Sequence, residues 1–143
     1  MKMNNSIKLI LLTVLLATTS LTQAGEVKNK LVIQVSTDDP RTQKIALNNA
    51  ANLQKLYGMD NVVIEIVAYG PGLGMLTQKS GQAERVTSLA MQDIHFSACG
   101  NTMKKVAEKS GKMPKLLEGV DQVTAGVARI MELQQQGYAY IRP

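Results

Sequence analysis

The sequence predicts an α/β fold, a three-layer α/β/α sandwich with a five-stranded, mainly parallel sheet, on three observations. Short apolar runs rich in β-branched residues have few polar interruptions, as strands buried on both faces do. Stretches of helical period alternate with these runs to the end of the chain. No charge block, internal repeat or linker divides the 143 residues.

The first stretch, "MKMNNSIKLILLTVLLATTSLTQA", reads as a secretory signal. Lys2 and Lys8 supply its positive start, Leu9 to Ala17 its apolar centre, and Thr22-Gln23-Ala24 a small-residue cleavage site. The apolar run is shorter than the about 20 residues a membrane-spanning helix needs. The expected product is residues 25–143, a single exported, periplasmic-type domain without stable membrane insertion once the signal is removed.

"KLVIQVS" (Lys30 to Ser36) and "NVVIEIVAYG" (Asn61 to Gly70) are the first two predicted strands. Between them a helix starts at Pro40 and stops at Gly58, with Ala46, Ala50, Leu53 and Tyr57 at helical spacing. A further helix, in which Leu76, Val86 and Ala90 share a face and which Gly81 can break, leads to a third strand, "DIHFSA". Met103, Val106 and Ala107 mark the next helix, ending near Gly111. A loop with Pro114 and Gly119 feeds a short fourth strand around Gln122 to Thr124. In "AGVARIMELQQQG" the residues Val127, Ile130, Met131 and Gln134 fall in register, with Gly137 as the stop, and "YAYIR" is the last strand.

Composition narrows the function. The formal charge of +5 includes the two signal lysines, and the chain has one Phe, four Tyr and no Trp. Lys104, Lys105, Lys109, Lys112 and Lys115 are therefore read as a solvated face, and no nucleic-acid partner is expected. "GPGLG" lacks the full dinucleotide fingerprint and no P-loop lysine follows, so it is a turn; no cofactor is expected. One Cys and one His do not make a metal site, and none is expected.

Ligands of open α/β sheets bind beyond the carboxyl ends of the strands. Three such ends are distinctive: "STDDP", with Asp38; "YGPGLG", with Tyr69, Gly70, Pro71 and Gly72; and "ACGNT", with Cys99, Gly100, Asn101 and Thr102. Cys99 is the only cysteine, so the domain has no internal disulfide. It sits where a strand passes into a helix, and the free N–H groups and positive dipole of a helix start favour a thiolate. A small buried hydrophobe is the other reading of the same position. His95 lies four strand positions away at about 3.3 Å per residue, too far to take the thiol proton, and is read as a core or interface histidine.

The segments "LNNAANLQKLYG", "VVIEIVAYGPGLGML", "IHFSACGNTM" and "LLEGVDQVTAGVARIMELQQQGYAYIRP" together resemble the DsrE/DsrF-like family, particularly its exported members. The resemblance implies a homo-oligomer, a trimer or hexamer. In cytoplasmic relatives a cysteine after the third strand carries sulfur as a persulfide, and the resemblance puts Cys99 at that position, with a thiol acceptor protein as the implied partner. The expected function is thus periplasmic sulfur handling by Cys99, a sulfur carrier or sulfurtransferase, with Asp38 and Tyr69 to Gly72 shaping access. The alternatives are an oligomeric binding module with a structural Cys99, and a redox sensor that pairs two Cys99 thiols across subunits.

Overall fold

The computed structural model describes residues 29–143; the expected signal, residues 1–24, lies outside the described residues. Five strands form one sheet: β1 (Asn29–Val35), β2 (Val62–Ala68), β3 (Ile94–Cys99), β4 (Val120–Val123) and β5 (Ala139–Ile141). The order is β4-β3-β2-β1-β5, and every pair is parallel. The helices are α1 (Pro40–Tyr57), α2 (Ala83–Ala90), α3 (Gly100–Ser110) and α4 (Gly126–Gln135), with a 3₁₀ helix over Gly70–Leu76.

This order decides which helix lies on which face. From β1 to β4 the chain steps in one direction across the sheet, so right-handed crossovers put α1, α2 and α3 on one side. The return from β4 to β5 runs the opposite way, and the same rule sends α4 to the other side. The packing agrees. Ala46, Leu47 and Ala50 of α1, Val86 and Leu89 of α2, Leu73, Met75 and Leu76 of the 3₁₀ helix and Met103 of α3 share one core with Ile33, Ile66 and Phe96. On the opposite face Ile130 and Leu133 of α4 close over Val32 and Val67. The architecture is the expected three-layer sandwich.

α1 begins at a cap that its sequence supplies. Asp39 accepts hydrogen bonds from the Thr42 N–H at 2.8 Å and the Thr42 hydroxyl at 2.7 Å, with Pro40 in the first turn. These bonds hold the Asp39 carboxyl below its usual range. α1 and α3 end at Gly58 and Gly111 as expected.

Several expectations are corrected. Leu76 closes the 3₁₀ helix rather than joining α2, because the turn after it restarts the chain only at Ala83. β4 begins two residues early, at Val120, where it pairs with Phe96. Tyr57 is exposed, and the buried side of α1 includes Gln43 and Gln54. In α4 the buried positions are Gly126, Ile130 and Leu133; Val127 and Met131 are 56% and 57% exposed, and Gln134 is exposed too. Two apolar stripes run along α4, and the return crossover turns the Ile130–Leu133 stripe inward.

The face under α4 is also more polar than an apolar-strand reading anticipates. Glu65, Ser97 and Gln34 are buried on it, while His95 is exposed, contrary to a core histidine. Of the helices only α4 contributes to the core on this side, so the start of β3 stays open to water.

Candidate functional site

β3 ends at Cys99, which is 6% exposed and is also the residue that caps α3. The α4 start arrives beside it from the opposite layer. A Cβ built on Gly126 would sit 3.3 Å from the Cys99 Cβ and 3.1 Å from Cδ1 of Tyr69, so only a glycine lets α4 come this close without displacing its neighbours. Neither helix carries a capping oxygen: α3 is capped by Cys99 and α4 by Ala125. The sulfur therefore lies where two helix N-termini leave N–H groups without helical acceptors.

Burial pushes the Cys99 thiol up. Hydrogen bonding from the Thr102 hydroxyl, and from the backbone N–H groups of Gly126, Thr102 and Asn101, outweighs it and holds the thiol below its ordinary value. Thr102 is oriented for this task. Its hydroxyl oxygen accepts the Gly70 N–H at 3.0 Å, which leaves its own hydrogen available to the sulfur. The Asn101 N–H is 3.2 Å from the Thr124 oxygen, tying α3 to the end of β4.

A charged network beneath α4 fixes that helix on the sheet. Arg129 donates to both Glu65 oxygens, Nε to Oε1 at 2.8 Å and Nη2 to Oε2 at 2.7 Å. The Ser97 hydroxyl donates to Glu65 Oε1 at 2.6 Å. Ser97 is two residues before Cys99, on the same side of β3. Burial and the Glu65 carboxylate push the Tyr138 phenol up, with Arg129 opposing. A bidentate, largely buried pair of this kind orients α4 as well as holding it.

The residues expected at the site divide into three groups. Cys99, Asn101 and Thr102 form it directly. Tyr69 and Gly70 support it, Tyr69 by packing against the α4 start and Gly70 through the Thr102 hydroxyl. Gly100, Pro71, Gly72 and Asp38 do other things. Gly100 is buried against the end of β4. A Cβ on Gly72 would lie 2.3 Å from the Val35 oxygen, so Gly72 seats the 3₁₀ helix on β1. Pro71 is exposed and lines a groove between the 3₁₀ helix and α3, which Cys99 does not line. Asp38 is exposed beyond β1, and β2 stands between β1 and the cysteine strand.

Gly126 is the site residue that sequence reasoning missed. The signal was a glycine opening a helix directly after a short strand, "VTAG". His95 is four positions from Cys99 on β3, and nothing places a base beside the sulfur. Among the described residues there is no group of three or more His, Cys, Asp or Glu able to hold a metal, and no helix long and apolar enough to cross a membrane.

No family model matches the chain, and no curated protein does. A solved structure does match: a protein of unknown function, MTH1491, from Methanobacterium thermoautotrophicum. The two chains are 35% identical with a TM-score of 0.72, and the alignment covers 80% of this chain and 99% of that one. The chain belongs to the same family as MTH1491. Membership in the MTH1491 family fixes the fold and leaves the activity to be argued from the site.

Proposed function

We propose that the protein carries sulfane sulfur on Cys99 as a persulfide and hands it to a partner thiol. The observation behind this reading is the meeting of two helix N-termini at one buried cysteine, with Cys99 capping α3 and the start of α4 so close that a Cβ on Gly126 would lie 3.3 Å from the Cys99 Cβ. Such a setting favours the thiolate, which is the nucleophile in sulfur exchange. The Cys99 thiolate attacks the outer sulfur of a persulfide R–S–SH; a new S–S bond forms, the old one breaks, and R–S⁻ leaves with the electron pair. An acceptor thiolate R′–S⁻ then attacks the outer sulfur of Cys99–S–SH, which regenerates the Cys99 thiolate and releases R′–S–SH. Neither step changes the overall oxidation level, so no separate oxidant is required.

At 6% exposure, Cys99 offers its sulfur to a small persulfide or polysulfide more readily than to a folded donor. The resemblance to the DsrE/DsrF-like proteins, whose sulfur-bearing cysteine occupies this position, supports the same reading. Export and self-association belong to the proposal. The exposed Val127 and Met131, one turn apart on α4, offer apolar surface for assembly. Sedimentation should show a trimer or hexamer at micromolar concentration; monomer alone would overturn self-association.

The test of sulfur carriage is mass spectrometry after exposure of the folded protein to a low-molecular-weight persulfide. The Cys99 peptide should gain one sulfur atom. A Cys99 that stays unmodified in the folded protein, while the denatured chain reacts, would sink the proposal.

The low exposure of Cys99 also favours a second reading, an oligomeric binding module in which the cysteine is packing. Under that reading Cys99→Ser leaves assembly and ligand binding unchanged, and a large loss of either counts against it.

A further inference from the structure

A groove of about 740 Å³ runs between the 3₁₀ helix and α3, walled at one end by the loop that follows α3. The volume falls in the range of about 300–1,000 Å³ typical of small-molecule sites. Backbone ties that loop to the end of the 3₁₀ helix and the residues after it. The Gln78 N–H donates to the Lys115 oxygen and the Leu117 N–H to the Leu76 oxygen, both at 3.0 Å, and Thr77 bridges Leu116. The groove is thus largely preformed, and a ligand need not order the loop to bind.

Its lining is asymmetric in charge. Leu73, Val106 and Met113 supply apolar surface, Lys79, Lys112 and Lys115 supply three exposed ammonium groups, and no carboxylate lines it. Lysine stems also cover apolar surface while their charged ends stay in water. The complement of such a groove is a molecule with an apolar body and one anionic end.

We propose that this groove binds a free single-chain organic carboxylate, with the aliphatic part against Leu73, Val106 and Met113 and the carboxylate among the three lysines. The site is separate from Cys99, which does not line it, and it stands whether or not Cys99 carries sulfur. Gly70 is common to both places, lining the groove while its N–H is held by Thr102.

Calorimetric titration of the protein with decanoate tests this, with decyltrimethylammonium as the cation of equal chain length. Decanoate should bind saturably at one site per chain, and more weakly as salt rises. Exposed ion pairs contribute up to about 1 kcal/mol, so Lys112→Gln and Lys115→Gln should each weaken binding by up to about fivefold. Gly74 lines the groove and a Cβ there meets nothing within 4 Å, so Gly74→Trp should abolish binding by filling the space while the thermal midpoint holds. Decanoate binding that survives Gly74→Trp would overturn the proposal, as would decyltrimethylammonium binding as tightly. Binding to phosphatidylglycerol vesicles without binding to decanoate would assign the lysines to a membrane surface and overturn it too.

Discussion

Gly126→Ala probes the approach of α4 to the sulfur. The added methyl would stand 3.1 Å and 3.2 Å from Tyr69 carbons and 3.3 Å from the Cys99 Cβ. Carbon pairs rest at about 3.5–4.0 Å, so the start of α4 must retreat by a few tenths of an ångström. That retreat lengthens the Gly126 N–H contact with the thiolate. A hydrogen bond to a charged group contributes about 1.5–3 kcal/mol, and losing roughly half of it removes about 1 kcal/mol of thiolate stabilisation. At 1.36 kcal/mol per pKa unit the thiol should rise by about 0.5–1 unit. Overall stability should move less, because alanine inside a helix gains about 0.5–1 kcal/mol over glycine and offsets part of the crowding. Titration of thiolate absorbance, referenced to Cys99→Ser, measures the first effect, and thermal melting the second. An unchanged thiol midpoint in a folded Gly126→Ala protein refutes the reasoning.

Other consequences are equally measurable. Thr102→Val removes the hydroxyl donor and leaves the Gly70 N–H without its acceptor, so the thiol midpoint should rise and urea unfolding should show a loss of about 1–3 kcal/mol. Glu65→Leu strands Arg129 beneath α4. Breaking a buried pair costs about 3–5 kcal/mol, and the low end applies here because the Arg129 side chain is 31% exposed and keeps Glu132; thermal melting checks it. The depressed Cys99 thiol also makes stability depend on pH. Its contribution is fully present above the unfolded value of about 8.5 and is lost as pH falls through the folded value. Wild type should therefore gain on Cys99→Ser in urea titrations as pH rises from the folded midpoint towards the unfolded value of about 8.5; a difference that is flat or shrinks as pH rises speaks against a stabilised thiolate.

Much of the fold was legible in the sequence because its strands are strongly apolar and its breaks are marked by glycine and proline. Pro40, Gly58 and Gly111 bounded their helices without tertiary information. α4 was misread for a physical reason: Val127 and Met131 are as apolar as Ile130 and Leu133 and share the helical period. Strand order settles which stripe is buried, and strand order is not a local property. The same limit concealed Gly126. Cys99, Asn101 and Thr102 are contiguous, so a strand-to-helix junction exposed them, whereas the second helix start comes from the far side of the sheet. The exposure of His95, against a core placement, was hidden because alternation specifies a face and not how far the covering helix extends along it.

The pH dependence of Cys99 alkylation in the folded protein, set against the denatured chain, tests the central claim most directly. Two helix starts and the Thr102 hydroxyl acting on one sulfur predict reaction with a midpoint below the denatured value of about 8.5. A folded midpoint at or above the denatured one, or protection at every pH at which the fold persists, would contradict the account and leave Cys99 as a core residue.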